Sequence, residues 1–227
     1  MTKLIATSWD DGLESDKRLL DILDQAMVRA SFALSPGRYI ECSIPNDVRD
    51  VEKYGMLISS SDMQMYLGHD ICNHTGTHRE MNASDIQCNF EIWLGKIILE
   101  DVFEREVPGI VWPYGVFNDE CMKYARSIGH TFGRTTPAAN RHWQPGSYSN
   151  WNIVPTHWRT PIKTILESPH THLALYGHTY ELRNEDDWAH LTDLYYVLSD
   201  DSRCELVTLN ELSKDISTHA RNQFLRL

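Results

Sequence analysis

No run in this chain approaches the ~18 consecutive apolar residues that a bilayer-spanning helix requires, so no membrane-spanning helix is expected. Basic charge is also short. The chain carries 21 Lys and Arg against 32 Asp and Glu, a formal net charge of −11. Like charge repels phosphate, so neither a nucleic-acid nor an anionic-membrane partner is expected. Cysteine is sparse and odd in number: five residues, at 42, 72, 88, 121 and 204, with no C-x-x-C pair. Free thiols in a reducing compartment are expected rather than a disulfide frame, with Cys72 in the core. The opening Met1-Thr2-Lys3-Leu4-Ile5-Ala6 runs almost directly into Asp10 and Asp11. That leaves no room for a secretory leader and sets a cytoplasmic expectation. There is no internal repeat, and no linker that would cut the chain in two.

What is present reads as a single α/β domain over residues 1–227. A hydrophobic share of 41% and a charged share of 23% are those of an ordinary globular chain, long enough to bury a sizeable core. Apolar runs alternate with helical periodicities. Strands are expected at 4–9, 30–34, 70–73, 109–112, 130–134, 172–176 and 204–208. Helices are expected at 16–27, 60–67, 85–105, 119–128, 161–167 and 187–198, with a polar C-terminal helix over 210–227. In the helix at 85–105, Ser84 and Gln87 form a capping box, and Ile86, Phe90, Trp93, Leu94, Ile97 and Val102 mark one apolar face. Residues 36–58 lack periodicity and read as a surface excursion, and 136–158 reads as a loop rich in proline. Alternation of this kind predicts a mostly parallel sheet with helices outside, and a parallel barrel gathers its strand ends on one rim.

The polar clusters fall where strands end. Ser8-Trp9-Asp10-Asp11-Gly12 closes the first strand, and Gly68-His69-Asp70-Ile71-Cys72-Asn73-His74-Thr75-Gly76-Thr77-His78 runs through the third. Trp112-Pro113-Tyr114-Gly115, Arg134 and Leu175-Tyr176-Gly177-His178 follow later strands. His74 and His78 are four apart, which lets both imidazoles converge on one ion if the backbone makes a single helical turn. Alone the pair says little, because 11 histidines in this length give roughly half an H-x3-H pair by chance. Two carboxylates at another strand end make it the material of a metal site. Core packing does not account for five polar clusters at five strand ends.

With these motifs in this order, the chain resembles the polysaccharide deacetylases of the NodB homology domain, carbohydrate esterase family four. The motifs span residues 5 to about 180; the histidine motif is specific, and the last is weak by itself. The resemblance implies a distorted (β/α) barrel of about seven parallel strands and hydrolysis of an N-acetyl group from an amino-sugar saccharide. It implies that Asp11, His74 and His78 hold a divalent metal, zinc first, with cobalt, manganese and nickel fitting the same ligands. Two neutral imidazoles and a carboxylate suit zinc and leave a position open for water. It further implies Asp10 as general base, the Tyr114 backbone N–H as an oxyanion donor, and His178 as the acid that protonates the departing amine.

The chain departs from the family pattern in two places. Val111 stands where the family has an arginine that tethers the base, and Arg134, at the end of the next strand, is the candidate replacement. No aspartate precedes Trp151 or Trp158 at the place where the family tunes its catalytic histidine, and Glu181, three residues after His178, is the candidate there. Trp112, Tyr114, Trp143, Tyr148, Trp151 and Trp158 offer flat faces for sugar rings, although aromatics of this size are more often core residues. Two other functions fit the same residues: a related C–N hydrolase, amidase or deformylase, on a small metabolite, and a non-catalytic saccharide-binding relative.

Overall fold

The structure, a computed structural model, describes residues 2–40, 53–82, 86–136 and 151–224. The strands among them are β1 Lys3–Asp10, β2 Ser31–Leu34, β3 Asp70–Asn73, β4 Gly109–Val111, β5 Phe132–Arg134, β6 Asn152–Ile153, β7 Thr156–His157, β8 His172–Gly177 and β9 Cys204–Val207. Seven of these overlap the strands expected from sequence; the two-residue β6 and β7 lie in the stretch expected as loop. They join in the order β6-β5-β4-β3-β2-β1-β8-β7, with β9 added against β1, and every ladder is parallel. The sheet curls into a half-barrel, the distorted barrel that the sequence predicts.

Successive side chains on a strand point to opposite faces, and here that alternation sorts the core in two. Ala6, Ala33, Cys72, Val111, Phe132, Ile153, Ala174 and Val207 form one cluster, with one residue from each strand except β7. They line the concave side, and Leu209 and Leu212 of the C-terminal helix Leu209–Phe224 join them. Four of the eight are alanine or cysteine, which leaves room for the larger ones. Their neighbours Ile5, Phe32, Ile71, Leu173 and Leu175 belong instead to the larger cluster shared with helices Asp16–Gln25 and Glu185–Asp200. None of the four described cysteines stands in a disulfide, and no described helix is long and apolar enough to cross a membrane.

Two expectations are corrected. The described ends of the 36–58 segment are not a surface excursion. A short helix, Pro36–Ile40, follows β2, and Tyr39, Leu57 and Ile58 are buried. The segment packs against the turn after β1: the Tyr39 hydroxyl donates to the Asp11 carbonyl at 2.7 Å, and the Ile58 amide to the Gly12 carbonyl at 3.1 Å. Gly12 has φ +67°, and a Cβ there would meet the Tyr39 hydroxyl at 2.3 Å, so this turn requires glycine on both counts.

The second correction concerns the helix Ile86–Phe103. Its buried face is Cys88, Glu91, Ile92, Gly95, Leu99 and Phe103, whereas Ile86, Phe90, Trp93 and Ile97 are exposed. The helix is apolar on more than one side, so periodicity alone offers two stripes. The stripe holding Cys88 and Gly95 faces inward because its small residues let the helix approach the loop after β3. Ser84, the residue of the expected capping box, and the aromatics Trp143 and Tyr148 lie outside the described residues.

That close approach gives a test. A Cβ on Gly95 would meet Asn73 Oδ1 at 2.1 Å and the Thr75 carbonyl carbon at 2.8 Å. In an open helix interior, glycine to alanine stabilises by about 1 kcal/mol. Here Gly95→Ala is expected to reverse that sign and destabilise by about 1–3 kcal/mol through overpacking, read as a lower thermal midpoint. An unchanged or raised midpoint would contradict the packing described.

Candidate metal centre and active site

Several rim side chains continue the rows that line the lumen. Asp10 follows Ala6 and Ser8 at two-residue steps on β1, Arg134 follows Phe132 on β5, His74 follows Cys72, and His178 follows Ala174 and Tyr176. Chain separation is thereby erased at the carboxyl ends of β1, β3, β5 and β8. Among the described residues, six that are not glycine have positive φ, and four of them, Asp11, Thr75, His78 and Tyr114, stand at this rim. Each such conformation costs roughly 1–3 kcal/mol, most plainly for the β-branched Thr75, and persists because the surroundings hold it.

Asp10 and Arg134 form a buried ion pair. Arg134 is fully enclosed; its Nη2 donates to Asp10 Oδ1 and lies 3.4 Å from Ser8 Oγ, with the guanidinium 5.3 Å from the centre of the Tyr176 ring. The arginine is therefore not a surface residue; it is paired with Asp10 inside the rim. Val111 contributes its backbone instead: its carbonyl lies 2.7 Å from His74 Nδ1. A proton on that Nδ1 fixes the tautomer, so that the Nε2 lone pair faces the site.

Asp11, His74 and His78 each present one ligand atom, all within 4.8 Å of one another. Asp11 Oδ1 lies 3.3 Å from His78 Nε2 and 3.9 Å from His74 Nε2. A tetrahedral zinc with ligands at about 2.0–2.1 Å sets neighbouring ligand atoms roughly 3.3 Å apart, so Asp11 and His78 already stand at ligand spacing, and His74 would have to draw inward to join them on a small divalent ion. Burial lowers the pKa of both imidazoles, which keeps them neutral as ligation requires. Burial works to raise the Asp11 carboxyl, but His78, His74, His178 and Arg38 outweigh it and hold it low.

The histidine loop is clamped from behind. Glu91, buried in the helix Ile86–Phe103, accepts from the Thr77 amide at 2.7 Å and the Thr77 hydroxyl at 2.8 Å. Its backbone carbonyl accepts from the Gly76 amide at 2.8 Å. Asn73 accepts from the Thr75 amide at 2.9 Å. Glu91 escaped the sequence analysis; its only signal was a carboxylate set among apolar residues in the first half of that helix.

His178 Nε2 stands 3.8 Å from Asp10 Oδ2 and 3.9 Å from Asp11 Oδ2. Its Nδ1 lies 3.3 Å from Glu181 Oε1, which the turn Thr179–Glu181 folds back. Glu181 Oε2 also accepts from Trp158 Nε1 at 2.8 Å and contacts His157 Nε2 at 3.0 Å. Burial opposes protonation of His178, but Glu181, Asp10 and Asp11 together raise its pKa from the ordinary histidine value.

These groups share a cavity of about 520 Å³ whose walls include Arg38, Tyr54, Leu57, Tyr114, Tyr176 and Tyr180. Of the described aromatics expected as sugar faces, Trp112, Trp151 and Trp158 are buried, while Tyr114 is exposed, its ring centre 4.8 Å from that of His78. Tyr54 and Tyr180 meet edge to face at 5.0 Å, and Tyr180 stacks on His178 at 4.8 Å. Neither tyrosine carried a motif that sequence reading would single out.

The sequence profile described as Polysaccharide deacetylase matches residues 1–133. No protein of curated function matches the chain in sequence. Solved structures match its fold. A peptidoglycan N-acetylglucosamine deacetylase aligns at 17% identity and TM-score 0.63, over 92% of this chain and 86% of its own. A family 4 acetyl xylan esterase from Clostridium thermocellum, in complex with a cobalt ion, aligns at 19% and 0.57, over 93% and 91%. A family 4 pseudoenzyme from Bacillus anthracis aligns at 16% and 0.62, over 93% and 66%.

The buried pair makes a prediction. Arg134→Met strands the Asp10 carboxylate without its partner and is expected to cost about 3–5 kcal/mol in denaturant unfolding. Combining it with Asp10→Leu should recover most of that loss. A single variant as stable as the parent would contradict the pairing.

Proposed function

The chain belongs to the polysaccharide deacetylase family, and on that footing we propose that it is a metal-dependent hydrolase that removes N-acetyl groups from an amino-sugar saccharide. The observation that carries this reading is the convergence of Asp11, His74 and His78 with Asp10 and His178 on one cavity. Asp11, His74 and His78 would hold a divalent ion, zinc in this proposal, which would supply Lewis acidity toward the acyl carbonyl and the attacking water. Asp10, kept in place by Arg134, takes the proton from the attacking water. The Tyr114 backbone N–H donates to the developing oxyanion. His178, protonated and oriented by Glu181, passes its proton to the nitrogen as the C–N bond breaks. That proton is essential, because an amine anion is a very poor leaving group. Since some members of the fold are pseudoenzymes, the presence of both proton-transfer groups beside the ligand set is what favours catalysis over binding alone.

Acetate release from chitooligosaccharides and xylan, with elemental analysis of the purified protein, tests the reading. Formate or ammonia release would transfer it to a C–N hydrolase of small metabolites. Asp11→Ala, His74→Ala and His78→Ala are each expected to lose metal and activity together. Asp10→Asn should keep the metal while turnover falls ~10²–10⁴-fold, and a parental rate would remove Asp10 from its role. The sign of the pH dependence also follows. Burial lowers the pKa of His178, but the hydrogen bond to Glu181 helps raise it, and the acid form is present below that pKa and lost as pH rises. Glu181→Gln removes a raising influence, so the alkaline limb of the pH–rate profile should move to lower pH. A limb that stays in place would show that Glu181 does not act through His178.

A further inference from the structure

The helix Ile86–Phe103 carries a second apolar stripe, on the side away from its buried face. Ile86, Phe90, Trp93 and Ile97 are 84%, 52%, 41% and 45% exposed. Phe90 and Trp93 touch, with ring centres 5.8 Å apart. Scattered surface hydrophobics are ordinary, but four in one row, two of them large aromatics, mark a surface that meets something.

The stripe's own pattern says what. Its steps are four, three and four residues, the spacing of a seam between two helices. That spacing reads the same from either end, and so does the composition: isoleucine, aromatic, aromatic, isoleucine. A row of this kind is self-complementary under a two-fold axis. Two such helices laid antiparallel, with the axis passing between Glu91 and Ile92, set Ile86 against Ile97 and Phe90 against Trp93 of the second copy, each contact made twice. A saccharide is a poorer match, because the flanking isoleucines offer it no hydrogen bonds.

Charge agrees on both the place and the orientation. Each copy carries a net charge of −11, so two copies approach most easily where charge is absent. From Ile86 to Ile97 the exposed residues are Ile86, Gln87, Phe90, Trp93 and Ile97, and none is charged. The same row then continues into exposed Asp101 and Glu104. Parallel helices would bring these acids against their own copies. Antiparallel helices send them to opposite ends, with the two Asp101 positions roughly 28 Å apart along the axis at 1.5 Å per residue, well beyond the reach of their repulsion in salt.

We propose that this stripe is the interface of a homodimer in which the helices Ile86–Phe103 pack antiparallel across a two-fold axis. The exposed surface of the four side chains comes to roughly 500 Å² per copy, so pairing removes about 1,000 Å² from water, the lower bound for a specific interface. The dimer is therefore weak, with a micromolar dissociation constant. It also explains why the helix is apolar on two sides: one face serves the fold and the other the second copy.

Sedimentation velocity of the full chain, from about 1 to 200 µM, tests the proposal. A monomer should give way to a dimer across that range. Trp93→Glu and Ile86→Lys change exposed side chains, so each should keep the parental circular dichroism while weakening the dimer about tenfold or more. Ile97→Glu should do the same. The double variant Ile86→Lys with Ile97→Glu places Lys against Glu of the second copy only when the helices are antiparallel, and it should dimerise more tightly than either single variant. A chain that stays monomeric throughout, or a dimer that the folded Trp93→Glu and Ile86→Lys variants leave intact, would overturn the interface. A double variant weaker than both singles would overturn the antiparallel arrangement.

Discussion

Alternation along a β-strand governs this molecule. In a curled parallel sheet, every second side chain faces the lumen. There the small Ala6, Ala33, Cys72 and Ala174 leave room for Phe132, Ile153, Leu209 and Leu212. At the rim, the same inward-facing rows emerge as Asp10, His74, Arg134 and His178. Two-residue steps thus carry four side chains distant in sequence to one place, and the loops that follow add Asp11, His78 and Tyr114. A one-residue slip in β1 or β5 would exchange the Asp10–Arg134 pair for a buried, unpartnered charge. The ion pair and the strand register therefore specify each other.

The rim is also where the backbone is least relaxed. Asp11, Thr75, His78 and Tyr114 adopt conformations that side chains other than glycine seldom take. Glu91, Asn73 and Tyr39 hold those turns through hydrogen bonds from neighbouring elements. Such over-determination fixes the rim side chains in place, as a preorganised site needs. Strength in the packing behind the rim and strain within it are two sides of one arrangement.

Much of this was legible in the sequence. Seven of the strands, the parallel sheet and the gathering of polar clusters on one rim follow from alternation and from where Asp10, His74, Tyr114 and His178 fall. The place of Arg134 at a strand end was readable too, although its pairing with Asp10 was not readable from spacing, because 124 residues separate the two in the chain. Arg38 was not readable. The breaker Ser35-Pro36-Gly37 looks like the end of ordered structure, while the proline in fact opens a helix and Gly37 permits contact with Gly76. The inward face of the helix Ile86–Phe103 was misread for a related reason. Hydrophobicity ranks Phe90 and Trp93 above Cys88 and Gly95, but close approach to a loop selects for smallness, a tertiary demand that a periodic pattern does not record.

One measurement bears most directly on the claim that these side chains form a hydrolytic metal centre. Crystals of the full chain soaked in cobalt, with diffraction recorded on both sides of the cobalt absorption edge, should give one strong anomalous peak bonded to Asp11 Oδ1, His74 Nε2 and His78 Nε2. No peak at that point, or a peak held by other residues, would contradict the account.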